Sequence, residues 1–260
     1  MAAQTLADWL GKPFGAEPCI LYMNNKNSTF TNVTKSIGLN HVLQPMGSNF
    51  GDFNNDGYLD FYLGTGAPDL ASVVPNRMFI NVNGTKFVDV TTASGTGNVQ
   101  KGHAVSIADL DNDGDLDIYA KMGGAYTGDR APDCVFENPG FENKFLVLKL
   151  EGKKANRCAL GAKVKIQYTD NSNKQHVCYH VISTGASFGA NSIQLEAGLG
   201  KAKKIDFVEI TWPNKQLTKQ TIQNLGLDKK YLIVEGEAAV EVAYKKIEFM
   251  DHSGAHHHNM

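Results

Sequence analysis

The chain has 260 residues, a length that suits one or two domains. It is 42% hydrophobic and 20% charged with 26 Gly, the balance of a globular, turn-rich β protein, and it has no run of eighteen apolar residues, so no membrane-spanning helix is expected. A net charge of −2 hides an asymmetry: residues 1–144 hold 9 Lys/Arg against 16 Asp/Glu (−7), whereas residues 145–260 hold 16 against 11 (+5), which predicts two domains with different work.

The opening MAAQTLADWLGKPFG lacks a charged segment followed by an apolar one. A cytoplasmic chain, a removed leader and an excerpt of a longer protein all fit that start. From Ile20 the sequence repeats. ILYMNNKNSTFTNVTKSIG (Ile20–Gly38) aligns without a gap on RMFINVNGTKFVDVTTASG (Arg77–Gly95), an offset of 57 residues. The same offset carries Asp52 to Asp109, Asp56 to Asp113, Gly57 to Gly114 and Asp60 to Asp117. Pro18, Pro75 and Pro132 keep the step, and VFEN (Val135–Asn138) opens a third copy that stops.

Alternation and turn residues predict short strands at about 20–24, 29–33, 47–51 and 58–63, then at about 77–81, 86–90, 103–108 and 115–121. Four strands per unit is the make-up of a propeller blade, and a closed propeller takes about four to eight blades. Two blades and the start of a third are therefore read as a partial β-propeller over residues 1–144. No amphipathic helix longer than two turns is expected. From Phe145 the repeat ends, but strand-like segments continue: FLVLKLEG, GAKVKIQY, QHVCYHVIS, SIQLEAG, KIDFVEITW and KYLIVEG. Together they predict a sandwich-like β domain over residues 145–237. AAVEVAYKKIEF (Ala238–Phe249) reads as a final strand before a histidine-rich tail, completing 238–260.

DFNNDGYLD (Asp52–Asp60) and DLDNDGDLD (Asp109–Asp117) both fit D-x-[DN]-x-D-G-x-x-D. Carboxylates this close repel one another unless a cation lies among them. Calcium takes six to eight oxygens at about 2.3–2.6 Å, and a tight loop turns positions 1, 3 and 5 to one point, with Gly at position 6 for the bend. The candidate ligands are thus Asp52, Asn54, Asp56 and Asp60 in the first loop and Asp109, Asp111, Asp113 and Asp117 in the second. Position 7, Tyr58 or Asp115, would add its carbonyl. An EF-hand is excluded by Leu63 and Ala120 at position 12, where a Glu is needed, and by strand-like flanks. Two calcium ions are expected. The four carboxylates of the second loop against three in the first predict the second as the tighter site. The two ions would move the first domain from −7 to −3.

These loops, the FYLG or IYAK that follows, and the preceding LYMN and NVT segments resemble FG-GAP/VCBS repeats. The second half resembles the ASPIC and UnbV domain of the cartilage acidic protein-like family, through LKLEGKKANRCALGAKVKI (Leu148–Ile166), GASFGANS (Gly185–Ser192), GLG (Gly198–Gly200) and VEITWPN (Val208–Asn214). Asn214 stands where that pattern favours Gly, and Ala108 where the first loop has Gly51. The resemblance implies an all-β, secreted or cell-surface calcium-binding protein serving adhesion, recognition or scaffolding. Its partner would be a protein or a glycan, with upstream blades or self-association completing the ring, and no catalytic step is implied. A calcium-dependent lectin is the milder alternative.

Other signals are weaker. GASFG (Gly185–Gly189) spells a nucleophile elbow with Ser187, and His176, His180 and Asp206 could be imagined as its partners, but the elbow needs a strand before it and a helix after it. The alternative function is accordingly a hydrolase using Ser187. Cys19, Cys134, Cys158 and Cys178 have no metal-type spacing and read as small buried apolar residues. Asn27, Asn32 and Asn83 head glycosylation sequons. In the tail, His252, His256, His257 and His258 beside Met250 and Met260 could bind copper or zinc, although a disordered end is expected. No basic–aromatic interleaving argues for nucleic acid.

Overall fold

The computed structural model describes residues 2–66, 74–124, 126–128 and 131–249. One helix of about two turns, α1 (Ala2–Trp9), opens the chain. It is tied to the segment before the first long strand. Asp8 Oδ2 accepts Val42 N–H at 3.0 Å and lies 3.2 Å from His41 Nδ1, and Gln44 Nε2 donates to Thr5 Oγ1 at 2.7 Å.

The rest is β structure, as the sequence predicts. β1 (Tyr22–Asn24) and β2 (Phe30–Asn32) pair by themselves. β3 (Pro45–Gly51), β4 (Asp60–Thr65), β5 (Arg77–Val82) and β6 (Lys86–Asp89) form a four-stranded antiparallel meander. β7 (Gly102–Ala108), β8 (Asp117–Met122) and β9 (Cys134–Phe136) form a three-stranded one. Every expected strand of the repeat is present. The frame differs, because each 57-residue unit is not one blade. The hairpin β3–β4 joins β5 and β6 through the register Leu63↔Arg77, so blade and repeat are offset by half a unit. The described residues thus hold one full blade between two partial ones, and no closed ring.

The blades pack through their apolar strand faces. Phe53, Tyr62, Met78, Val105, Ile107, Leu116 and Ile118 form one buried cluster spanning the second and third sheets. The offset also explains the departure at Ala108. A Cβ on Gly51 would lie 2.8 Å from Leu116 Cδ1 and 3.1 Å from Ile107 Cγ2, a closeness imposed by the neighbouring blade. Ala108, half-buried on the outer sheet, already carries that atom.

The second half is a sandwich. β10 (Lys144–Glu151), β11 (Lys163–Asp170), β12 (Gln175–Val181), β13 (Leu195–Gly200), β14 (Ala202–Thr211), β15 (Lys219–Ile222), β16 (Lys229–Val234) and β17 (Val240–Glu241) make two four-stranded sheets, ordered β13-β10-β16-β17 and β12-β11-β14-β15. β10 and β16 run parallel, and the other pairs are antiparallel. Alternation sends Leu146, Leu148 and Leu150 from one sheet and Val164, Ile166, Val208 and Ile210 from the other into a single core. Trp212 closes it and donates Nε1–H to Gln220 Oε1 at 2.8 Å. Ile166 is fully buried, so Ile166→Ala is expected to cost about 2–5 kcal/mol in a urea titration.

Three details depart from the sequence reading. β15 was not anticipated, because KQTI carries one apolar residue and is recognisable only as the return arm of the Trp212–Thr218 turn. The final strand expected over Ala238–Phe249 is realised only at Val240–Glu241, since its pairing with β16 stops after Tyr231↔Glu241 and Leu232↔Val240. Cys19 and Cys158 are exposed rather than buried, while Cys134 and Cys178 are half-buried. Asn27, Asn32 and Asn83 are exposed. Among the described residues no helix is long and apolar enough to cross a membrane. The histidine-rich tail lies outside the described residues.

Candidate metal centre

The two acidic loops connect β3 to β4 and β7 to β8, and strands flank both, as the exclusion of an EF-hand requires. Their backbones match. The position-4 residues Asn55 and Asn112 have φ of 55° and 61°, and the position-6 residues Gly57 and Gly114 have φ of 93° and 96°. Asn tolerates the first conformation, and the second strains any residue with a Cβ. The left-handed pair folds position 1 over the turn. Asp52 accepts N–H groups from Asp56 (3.0 Å) and Gly57 (2.8 Å), as Asp109 does from Asp113 (3.0 Å) and Gly114 (3.2 Å). Asn54 Oδ1 and Asp111 Oδ1 each accept the position-5 N–H at 3.1 Å, and Asp56 and Asp113 accept the N–H of Tyr58 (2.9 Å) and Asp115 (3.0 Å).

Position 9 reaches beyond its own loop. Asp60 accepts N–H groups from Phe53 (3.0 Å) and from Asn81 (2.7 Å) in the adjacent strand. Asp117 does the same with Leu110 (2.9 Å) and Asn138 (2.8 Å). Asn81 and Asn138 are themselves 57 residues apart, so the repeat preserves this donor as well.

Within loop 2, one carboxylate oxygen each from Asp109, Asp111 and Asp117 lie within 4.8 Å of one another. Asp111 is 1% exposed, and its Oδ2 has no hydrogen-bond partner. The Lys246 ammonium stands 3.3 Å from that oxygen, a Coulombic contact outside hydrogen-bond alignment. The ammonium offsets part of the cost of burying that charge, and an all-oxygen set of three converging carboxylates suits a hard divalent ion such as calcium. Asp113 stands outside that trio. In loop 1 Asp52, Asn54, Asp56 and Asp60 occupy the same loop positions, but among the described residues their carboxylates do not draw as close. Tyr58 is exposed, and Asp115 Oδ1 accepts Asn55 Nδ2–H at 2.8 Å.

Burial dominates the electrostatics. It pushes Asp52 up to about 8 against the pull of the Gly57 N–H, and the charges of Asp56 and Asp60 add to the rise. Burial likewise raises Asp60 to about 7 and Asp109 and Asp115 to about 6, and it raises Asp117. Asp113 goes the other way. Burial works upward on it, but the hydrogen bonds from Lys246 and from the Asp115 N–H hold it below the usual carboxylate range. Without a cation, Asp52, Asp60, Asp109, Asp115 and Asp117 keep their protons to higher pH than free carboxyls do.

Both loops lie on the seam between blades and sandwich. Asn55 Nδ2 joins loop 1 to loop 2 through Gly114 O (3.2 Å) as well as Asp115. Asn55 O accepts Gly200 N–H at 2.8 Å, and Asn54 O accepts Asn143 Nδ2–H at 2.7 Å. Further along, Asn191 Nδ2 donates to Phe50 O at 3.0 Å. Sequence reasoning passed over Asn55, and its recurrence as Asn112 in a position that demands a left-handed residue was the available signal.

Ser187 belongs to the same seam. Its backbone exchanges hydrogen bonds with Ser48 (2.9 and 3.0 Å), and the next residue's carbonyl accepts Val105 N–H at 2.9 Å. The imagined partners are engaged elsewhere. His176 Nε2 lies 2.7 Å from Asp170 Oδ2, and Asp206 accepts from Thr169 Oγ1 (2.9 Å) and lies 2.8 Å from Lys204 Nζ. His180 Nε2 has no partner, and burial lowers its pKa to about 4. Among the described residues no helix follows Ser187, and through its bonds to Ser48 and Val105 GASFG lies against β3 and β7.

Fold and loops together define a β-repeat protein with one acidic loop per repeat, followed by a β-sandwich. The FG-GAP-like repeat family matches residues 15–63 and 62–120, and the ASPIC and UnbV family matches residues 152–240. The chain belongs to the FG-GAP-like repeat proteins that carry an ASPIC and UnbV domain. No curated protein matches it.

Proposed function

We propose that the chain is an extracytoplasmic calcium-binding module for protein recognition or scaffolding, in which the ions are structural. The observation that carries this reading is the all-oxygen trio of Asp109, Asp111 and Asp117, one carboxylate oxygen of each within 4.8 Å of the others. Asp109, Asp111 and Asp117, with Asp113 and the Asp115 carbonyl, would hold one ion, and Asp52, Asn54, Asp56, Asp60 and the Tyr58 carbonyl the other. Each ion would offset two of its loop's negative charges and fix the corner on which the sandwich rests. An extracytoplasmic place suits millimolar calcium, which weak loop sites of this kind need, and accords with the setting typical of FG-GAP repeat proteins. The reading needs no catalytic step.

Calorimetric titration of the metal-free chain with calcium is the test. Two sites are expected. Asp111→Asn should weaken one and Asp60→Asn the other, each about tenfold or more through loss of a charged ligand, and magnesium at equal concentration should bind far less. Absence of calcium uptake by the wild-type chain would overturn the reading.

A further inference from the structure

Beyond β17 the chain leaves the sandwich and crosses to loop 2. Val242 N–H donates to Lys230 O at 2.8 Å, and the Lys230 ammonium lies 5.6 Å from the centre of the Tyr244 ring. Ile247 N–H then donates to Asp111 O at 2.6 Å. This places Lys246 Nζ 2.8 Å from Asp113 Oδ2 and 3.3 Å from Asp111 Oδ2. The ion pairs of the described residues put no such cation on Asp52, Asp56 or Asp60.

Lys246 is therefore a tethered monovalent cation resting on two of the four candidate carboxylates of loop 2. It is paired with Asp113, the one carboxylate outside the close trio. It also narrows the charge difference between the loops. Loop 2 has five aspartates and loop 1 has three, and one ammonium brings the former from −5 to −4. Charge counting on the loops alone thus omits a compensating charge that lies more than a hundred residues away in sequence. In both carboxylates Oδ1 accepts a backbone N–H, from Asp113 at Asp111 and from Asp115 at Asp113, so the oxygen left for a divalent ion is the Oδ2 on which Lys246 rests, and two cations at one oxygen repel strongly.

We propose that Lys246 and the divalent ion compete for Asp111 and Asp113, so that filling loop 2 expels the ammonium and releases the strap Tyr244–Phe249 from the acidic loop. The proposal rests on the calcium reading above. The strap is otherwise thinly held. It carries no strand after Glu241, and Ile247 and Phe249 are exposed at 50% and 39%. Its attachment to loop 2 is the Ile247–Asp111 backbone bond and the Lys246 pair. Calcium occupancy would thus be reported outward as a freed, mixed basic and apolar segment, Lys245-Lys246-Ile247-Glu248-Phe249.

The test uses the full chain. Calcium titrations compare wild type with Lys246→Met and Lys245→Met, the loop-2 site being identified as the one weakened by Asp111→Asn. Lys246→Met should tighten loop 2 about two- to fivefold and leave loop 1 unchanged, as expected for removing one partly exposed ion pair that calcium must break. Lys245→Met should change neither site. In parallel, trypsin cleavage of the wild-type chain after Lys245 and Lys246 should speed up several-fold on adding calcium. A loop-2 affinity in Lys246→Met that is unchanged or weaker, or a strap cut no faster with calcium, overturns the competition while leaving the calcium reading intact. Lack of calcium uptake by all variants overturns both.

Discussion

Chelating calcium at pH 8 is expected to lower the melting temperature by about 10 °C or more, and the loss should shrink steadily as the pH falls towards 5. The loops provide the reason. In the metal-free chain, burial raises the carboxyls of Asp52 to about 8, Asp60 to about 7, and Asp109 and Asp115 to about 6. A carboxyl raised in the folded state stabilises that state when protonated. Its contribution is complete below the unfolded value of about 4 and is lost as pH rises through the folded value. The metal-free chain should therefore weaken progressively between about pH 4 and pH 8, Asp109 and Asp115 giving way first and Asp52 last. Asp113, held low by Lys246, acts in the opposite sense, but that pair is partly exposed and its effect is small.

Calcium reverses the trend because it binds the ionised loops. At a free concentration about one hundred times the dissociation constant, each site adds about 2.7 kcal/mol to the folded state. Two sites add about 5 kcal/mol, and a chain of this size gains roughly 2–4 °C per kcal/mol. Melts followed by circular dichroism at pH 5, 7 and 8, each in chelator and at a free calcium concentration about one hundred times the dissociation constant found by calorimetry, check this directly. Curves that coincide at pH 8 would remove the structural role assigned to the ion.

Much of this arrangement was legible in the residues, and the reasons are specific. The strands of the repeat were readable because one register of alternation recurs after 57 residues, and the loops because ligand chemistry fixes both residue type and spacing. The blade frame was not. A period has no origin, and only the pairing of β4 with β5 shows that Leu63 and Arg77 share a sheet. Contacts distant in sequence were equally hidden. Nothing near Ser187 announces Ser48, and nothing near Lys246 announces Asp113. The overlong final strand has a similar cause. Val-rich alternation gave β17 a pattern, but a strand exists only as far as its partner extends, and β16 offers two paired residues.

Gly198→Ala is expected to be among the most damaging single-methyl additions in the chain, and it addresses why the resemblance to the ASPIC and UnbV domain includes GLG. Gly198 lies in β13 opposite Phe145, at the edge where the sandwich meets loop 1. A Cβ there would lie 2.0 Å from Asp52 Oδ2, 2.6 Å from Asn55 Cα and 2.7 Å from Asn55 C. Two of these three atoms are backbone, so no rotamer change relieves the clash. The Asn55 segment must move, and with it Asp52, or β13 must withdraw and surrender the Gly200–Asn55 hydrogen bond of 2.8 Å. Overpacking of this kind costs about 1–3 kcal/mol and more where backbone must shift, which corresponds to a fall of roughly 5–10 °C in melting temperature. The two routes of relief are distinguishable. Displacement of Asp52 would weaken calcium at loop 1 while leaving loop 2 near wild type. Withdrawal of β13 would loosen the seam, and proteolysis around Asn143 and Lys144 would accelerate with both calcium sites retained. Gly185→Ala, whose added methyl meets only Ser183 Oγ at 3.5 Å, is the matched control and should melt like wild type. If Gly198→Ala did the same and kept both affinities, the sandwich would not be seated on loop 1, and the seam could not be the element that calcium orders.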